Sequence, residues 1–227
     1  MIFRDRDEAG ERLGNALLPH QSERAYVLAI PRGGVVVGAG VARVLGAPLD
    51  VIVPRKLRSQ YNPELAIGAV THDGTVYLDA ALGESGGIDD GYLQEEIGHQ
   101  RQEIARRLLA YRGGDAYPSM EGRTAIVVDD GIATGSTMIA ALRTVRKMAC
   151  KRVVAAIPVA PAEGLRRLQR EADQVVCLYA PPVFYAVGQF YDDFTQTTDD
   201  EVMALLREAV NRARGATTDT PPEGAYP

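Results

Sequence analysis

The fold is decided by one segment, which reads Ile126-Val127-Val128-Asp129-Asp130-Gly131-Ile132-Ala133-Thr134-Gly135-Ser136-Thr137. Its apolar beginning is typical of a buried strand, and two adjacent carboxylates follow where that strand would end. A loop of small and hydroxyl-bearing residues then leads into a predicted helix. In open α/β sheets, ligands bind beyond the carboxyl ends of the strands. The segment therefore predicts a ligand site at one edge of a parallel sheet.

The loop after the two acids has the composition of a phosphate site. Backbone N–H groups at a helix start and the hydroxyls of Thr134, Ser136 and Thr137 would bind a phosphate. The helix dipole would contribute roughly 0.3–2 kcal/mol. Asp129 and Asp130 would repel an isolated anion, but carboxylates accept hydrogen bonds from ribose hydroxyls and stabilise positive charge on a sugar. We therefore expect a phosphorylated ribose as the ligand.

Two other phosphate motifs do not fit the sequence. The Walker pattern has four residues between its glycines and then a lysine, whereas Gly131 and Gly135 enclose three residues and Ser136 follows. The dinucleotide fingerprint fails because Gly38-Ala39-Gly40 is followed by Arg43 at the place of the third glycine. The remaining alternative is a capped helix start with two solvated acids.

Apolar runs and amphipathic stretches alternate on both sides of this segment. Strands are predicted at 25–30, 49–53, 66–70, 75–78, 124–128, 153–159 and 174–178, with a hairpin turn at Asp73-Gly74. Helices are predicted at 5–18, 36–45, 90–112, 135–148, 163–170 and 202–212. This order favours an α/β fold whose central, mostly parallel sheet has helices on both faces.

The segment from Val127 to Thr137 resembles the binding loop of the type I phosphoribosyltransferases, which use 5-phosphoribosyl 1-pyrophosphate (PRPP). An acid pair, three intervening residues (131–133 here), Thr-Gly and small hydroxyl residues follow the strand in both. Ile132 to Gly135 is most similar to the adenine and uracil branches. The hypoxanthine-guanine branch has an aspartate in place of Ala133, which counts against 6-oxopurine acceptors. The resemblance implies transfer of a phosphoribosyl group to a nitrogenous acceptor, such as a nucleobase, with release of pyrophosphate.

The resemblance also implies a set of site residues. Asp129 and Asp130 would be catalytic. PRPP would be bound by Arg32, Gly33, Arg55, Lys56, Ala133, Thr134, Gly135, Ser136 and Thr137. The hood of the purine branches is similar to 184–192, where Tyr185, Val187 and Asp192 would bind the base. Residues 57–64 would form a mobile lid that excludes water, and Glu64 is one candidate for a base.

Domain organisation follows the same comparison. We expect one domain over residues 1–213, with its core at about 20–180, the lid and an insertion at about 57–122, and the hood at about 181–195. Residues 214–227 are rich in Thr, Pro and Gly and are predicted to be a disordered tail. The 90–112 helix would pack either on the domain or on a partner subunit, which makes a homodimer plausible.

Composition narrows the class of protein further. With a net charge of -5 the chain is not expected to coat nucleic acid, and it has no apolar run of the length that a membrane span needs. The first residues do not resemble a signal peptide, so we expect a cytoplasmic location. Cys150 and Cys177 are expected to be buried thiols, and His20, His72 and His99 surface residues. No spacing predicts a protein metal site; Mg²⁺ is implied only as the companion of PRPP.

Three functions are compatible with these residues. The first is the phosphoribosyl transfer that the resemblance implies. The second is a non-catalytic regulatory module that binds PRPP, although such regulators usually carry a DNA-binding domain or a basic surface. The third is a phosphatase for phosphosugars or nucleotides that uses the acid pair.

Overall fold

The computed structural model of the chain describes residues 2–62, 65–79, 89–114 and 116–218. The strands in this part of the chain are β1 (Tyr26–Ala29), β2 (Leu49–Val51), β3 (Arg55–Arg58), β4 (Ala66–Val70), β5 (Val76–Leu78), β6 (Thr124–Val128), β7 (Arg152–Val159) and β8 (Gln174–Tyr179). Five of them form a parallel sheet in the order β2-β1-β6-β7-β8. The predicted α/β class is confirmed.

Helices cover both faces of this sheet. The α-helices are α1 (Arg6–Ala16), α2 (Gly33–Leu45), α3 (Asp90–Arg112), α4 (Ser136–Arg146), α5 (Ala162–Leu168) and α6 (Asp199–Thr218), and short 3-10 helices occur at Leu18–Glu23 and Val187–Phe190. None of the described helices is long and apolar enough to cross a membrane.

The two faces of the sheet follow from the alternation of side chains along each strand. Val27 and Ala29 of β1 contribute to the core under α1, α2 and α6, whereas Leu28 contributes to the core under α4 and α5. In β6 every residue is buried, because the strand lies in the middle of the sheet with helices on either side. Such continuous apolar strands are typical of parallel sheets.

A second, antiparallel sheet of β3, β4 and β5 lies beside the first. The predicted hairpin at Asp73-Gly74 is confirmed, with Val70 paired to Val76 across the turn. The sequence placed Arg55 and Lys56 at the end of the second core strand, but β2 ends at Val51 and β3 is a separate strand. Leu57 is fully buried in β3, so the lid predicted from 57 does not include residues 57–58. The Glu64 hypothesis lies outside the described residues.

The long charged helix α3 packs on its own domain. Ile104 and Leu108 are buried in the core, and α3 contacts β3, β4 and α6. Of the two alternatives for the predicted stripe, packing on the domain is therefore the one observed. A homodimer stays a prediction.

Three local expectations are corrected. Helix α6 continues to Thr218, so residues 214–218 of the predicted tail are helical; residues 219–227 lie outside the described chain. His20 is buried rather than at the surface, and its Nδ1 lies 2.9 Å from Oε2 of Glu23 in the same 3-10 helix. Cys150 and Cys177 are free thiols that are only partly buried.

One carboxylate connects the small sheet to the C-terminal end of α4. Asp73 Oδ1 accepts a hydrogen bond from Thr71 Oγ1 at 2.6 Å, and Oδ2 accepts one from Lys147 Nζ, just beyond α4, at 3.1 Å. Burial raises the pKa of Asp73, but hydrogen bonds from Thr71, Thr75 and Lys147 outweigh burial and hold the pKa well below its ordinary value. The ionised form of Asp73 therefore stabilises the folded protein.

Replacing this carboxylate tests its contribution to stability. Asp73→Asn is expected to lower the free energy of unfolding at pH 7 by about 1–3 kcal/mol, because charge-assisted hydrogen bonds are lost. Since the folded-state pKa is depressed, the wild-type advantage is present above about pH 4 and shrinks as the pH falls below it. Urea unfolding at several pH values measures both effects. Glu95→Gln, at an exposed position of α3, is the control. An equal effect of both substitutions at pH 7 would contradict the assignment.

Candidate functional site

A cavity of about 600 Å³ opens at the carboxyl edge of the parallel sheet. The loops after β1 and β6 and the small sheet form its walls. Its lining combines five cations and two acids with the small residues of the loop before α4; the charged residues are Arg6, Arg32, Arg55, Lys56, Arg58, Asp129 and Asp130. An excess of positive charge beside two carboxylates suits a ligand that carries both phosphates and hydroxyls.

The acid pair lies directly after β6. The backbone N–H of Asp130 donates to Asp129 Oδ1 at 2.9 Å, which fixes the first carboxyl group. Burial and the neighbouring Asp130 raise the pKa of Asp129 well above its ordinary value. Burial also raises the pKa of Asp130, although hydrogen bonding to Arg6 opposes that shift. Two acids with perturbed pKa values in a cleft are typical of a functional site.

The pair is packed against the start of α2 without space for side chains. A Cβ on Gly33 would lie 2.0 Å from Asp130 Oδ2, and a Cβ on Gly34 would lie 2.9 Å from the Asp129 Cα. Pro31 to Gly34 was predicted to be a tight loop, but α2 already begins at Gly33, and the peptide bond between Pro31 and Arg32 is cis. The two glycines are thus required by close approach.

The loop before α4 lines one end of the cavity. The sequence predicts a phosphate site in this loop. Gly135 has φ +81° and is the N-cap residue of α4, so the first N–H groups of the helix point toward the loop. Ala133, Thr134, Gly135 and Thr137 line the cavity. Ser136 is buried and is not among the described residues that line it; its hydroxyl lies 3.3 Å from that of Thr134.

The three cations of β3 reach the opposite wall, and α3 holds that strand in place. Arg55 Nε donates to Oε1 of the buried Gln100 at 2.9 Å. Burial and the nearby Arg107 lower the pKa of the Arg55 guanidinium from its ordinary value. The backbone of Arg58 is bonded twice to α3, through Glu96 and Tyr92. The long helix is therefore the support of this cationic strand.

Sequence reasoning missed Arg6 and Phe194. Arg6 Nε donates to Asp130 Oδ2 at 2.7 Å, and its guanidinium lies 3.8 Å from the centroid of the Phe194 ring. No pattern in the sequence marks Arg6, because it is one charged residue of an amphipathic helix and lies 124 positions before its partner. Phe194 lies two residues after the predicted hood motif and ends its aromatic stretch. This position was the signal in the sequence that could have indicated it.

Only part of the predicted base site reaches the cavity. Val187 lines it and packs near Gly131, where a Cβ would come within 2.6 Å of Val187. Tyr185 is 86% exposed, and neither it nor Asp192 is among the described residues that line the cavity. Both residues are exposed; Gln189 Oε1 accepts from the Tyr185 N–H, and the Asp192 N–H donates to the Phe3 carbonyl.

The family model described as "Phosphoribosyl transferase domain" matches residues 15–195. The chain belongs to the phosphoribosyl transferase family. Two relatives from Mycobacterium tuberculosis, strains CDC 1551 and H37Rv, bear the name "Putative phosphoribosyl transferase"; each is 42% identical over 208 residues, which is 92% of this chain. The chain spans 47% of the length of these curated relatives.

A solved structure shares the fold of this chain. The crystal structure of TT1426 from Thermus thermophilus is 44% identical, covers 92% of this chain and 99% of its own, and superimposes with a TM-score of 0.77. The type I phosphoribosyltransferase resemblance is confirmed by these findings.

The close approach at Gly33 gives a stability test within this family fold. Gly33→Ala is expected to destabilise the protein by about 1–3 kcal/mol, because the new Cβ overlaps Asp130 and Arg6. Gly98→Ala is the matched control: Gly98 lies in α3 with nothing within 4 Å of a new Cβ, so the substitution should stabilise by about 0.5–1 kcal/mol. Urea denaturation measures both, and shifts of the same sign would refute the packing argument.

Proposed function

We propose that the protein transfers the 5-phosphoribosyl group of PRPP to a nitrogenous acceptor and releases pyrophosphate. The observation that carries this proposal is the convergence of three features in one cavity. These are the acid pair after β6, the phosphate loop before α4 and the cations of β3. The 5′-phosphate, the ribose and the pyrophosphate of PRPP each have a wall of matching chemistry. The three walls together fit PRPP better than they fit a simple phosphosugar.

The 5′-phosphate is assigned to residues 133–137. Backbone N–H groups at the start of α4 and the hydroxyls of Thr134 and Thr137 would bind it, while Ser136, being buried, would contribute through its backbone. Gly135 gives the loop its turn, since φ of +81° is readily adopted by glycine.

Asp129 and Asp130 are assigned to the ribose. Their oxygens would accept hydrogen bonds from the 2′- and 3′-hydroxyls and would face the positive charge that develops at C1. The bond from C1 to the pyrophosphate oxygen breaks with its electron pair on that oxygen. A new bond from C1 to nitrogen forms, and the proton of the acceptor passes to the released pyrophosphate. Ala133 offers no base for that proton.

Pyrophosphate would bind between the start of α2 and β3. Arg32 and the backbone at Gly33 approach from one side, and Arg55, Lys56 and Arg58 from the other. The family generally handles PRPP with Mg²⁺, and the described residues contain no group of three or more His, Cys, Asp or Glu that could hold a metal ion. The ion would therefore be held by the diphosphate and water, and it would neutralise charge on the leaving group.

A regulatory module that binds PRPP without transfer is the second candidate. The observation that favours it concerns Phe194, the aromatic residue that reaches the cavity. Arg6 lies 3.8 Å from one side of its ring, and the Tyr191 ring lies 5.1 Å away at a tilt. A flat base would have to displace one of these neighbours in order to stack.

Calorimetric titration with PRPP and Mg²⁺ tests the ligand. The wild type is expected to bind, and the double variant Asp129→Asn/Asp130→Asn is expected to lose binding at least tenfold, because neutral amides do not replace the paired carboxylates. The control is Asp89→Asn/Asp90→Asn, an adjacent acid pair at the start of α3 that lies outside the cavity. If the wild type does not bind, the proposed function falls.

Turnover separates the two candidates. With bases as acceptors, pyrophosphate release supports transfer, whereas PRPP binding without release from any base supports the regulatory module. Asp130→Asn should lower kcat more than it weakens PRPP binding, because its charge faces the transition state. Equal losses would argue against that role.

The hydrogen bond between Gln100 of α3 and Arg55 gives a further prediction. Gln100→Leu removes the acceptor for Arg55 Nε and is expected to weaken PRPP binding about tenfold, since a partly buried guanidinium loses its partner. Gln102→Leu, an exposed neighbour on the same helix, should leave the affinity unchanged. Calorimetry measures the PRPP affinity of both variants, and identical affinities would contradict the role given to Gln100.

A further inference from the structure

Helix α1 contributes one side chain to the acid pair, and this contact is separate from the motifs that identify the family. Arg6 is the first residue of α1, and its side chain is only 11% exposed. Nε donates to Asp130 Oδ2 at 2.7 Å, and Nη1 donates to the carbonyl of Thr195 at 2.8 Å. The guanidinium is thus fixed at two of its nitrogens.

We propose that Arg6 is a positioning residue, which holds Asp130 as an ionised, oriented carboxylate for the ribose. This inference rests on the proposed function for the identity of the ligand, but the contact itself does not. The Asp130 side chain is 16% exposed, and a carboxyl group in such surroundings favours its neutral form unless a cation lies beside it.

The other charged groups around Asp130 do not replace this contact. Side-chain hydrogen bonding to the preceding Asp129 also lowers the pKa of Asp130, but its contribution is smaller than that of Arg6. Tyr191, from the hood, donates its hydroxyl to the Asp130 carbonyl at 2.5 Å and not to the carboxylate. Arg32 and Lys56 line the same cavity from the loop after β1 and from β3. Among the described residues, the ion pair that Asp130 forms is with Arg6.

Packing explains why the residue is an arginine. Its guanidinium lies against Phe194 on one side and close to Gly33, where a Cβ would come within 2.6 Å of Arg6 Nε. A planar group fits this narrow space and still reaches Thr195, whereas an ammonium group cannot make both bonds in the same geometry. Lysine at this position would retain the charge and lose the orientation.

Direct titration of the carboxyl group tests the inference without any ligand. ¹³C NMR of labelled aspartate side chains would follow ionisation in the unliganded protein, with Asp130→Asn to assign the signal. In Arg6→Gln the midpoint of Asp130 is expected to rise by about one pH unit or more, which is about tenfold in proton affinity, because the stabilising cation is gone. Arg6→Lys should give a smaller rise, and it decides the question if Arg6→Gln does not fold.

The control is Arg4→Gln, whose guanidinium is 72% exposed and pairs with Asp5. It should leave the Asp130 midpoint unchanged. An unchanged midpoint in folded Arg6→Gln overturns the inference, because a residue with a merely structural role would lower stability without moving this titration.

PRPP titration below and above the Asp130 midpoint that NMR gives for Arg6→Gln then connects the contact to the ligand. Arg6→Gln should bind more weakly below that midpoint and regain affinity above it, while the wild type changes less over the same range. A loss that is the same at every pH would contradict the positioning role. If the wild type binds no PRPP but the midpoint still moves in Arg6→Gln, the proposed function fails and the role of Arg6 stands.

Discussion

The site depends on one close approach, in which the carboxyl groups after β6 meet the backbone at the start of α2. Gly33 and Gly34 leave no volume between the helix and Asp129 or Asp130. Parallel neighbours β1 and β6 bring these two chain segments to the same edge of the sheet, because both strands end there. The perturbed pKa values of the acids, the place of Arg6 and the shape of the cavity all follow from this contact.

Much of this arrangement could be predicted because the information is local. Ile126 to Val128 specify a buried strand, and the loop to Thr137 specifies a helix start with donors for an anion. The turn at Asp73-Gly74 was also readable from two residues. Neighbouring strands in a parallel sheet end together, so Arg32 and Asp129 could be placed in one site without knowledge of side-chain packing.

What could not be predicted depends on contacts between distant parts of the chain. Arg55 and Lys56 follow β2 closely in sequence, yet pairing with β4 moves them into a second sheet. Gln100 looked like one polar residue on a charged helix, and only its burial beside Arg55 shows its role. For Tyr185, motif spacing suggested a base contact, but spacing does not determine which side of the hood a ring faces.

The packing of Val187 near Gly131 has a consequence for protein engineering. A hood taken from another member of the family would bring its own side chain to the position of Val187. The loop beneath packs closely there through Gly131, which has no side chain that could move to make room. Arg6 adds a second junction, because it joins Thr195 of the hood to the opposite end of the chain. Chimeras that exchange the hood alone would change the side chain packed near Gly131 and the ring at Phe194 that Arg6 contacts. A transferable module would have to comprise the hood, the loop at 131 and the start of α1 together.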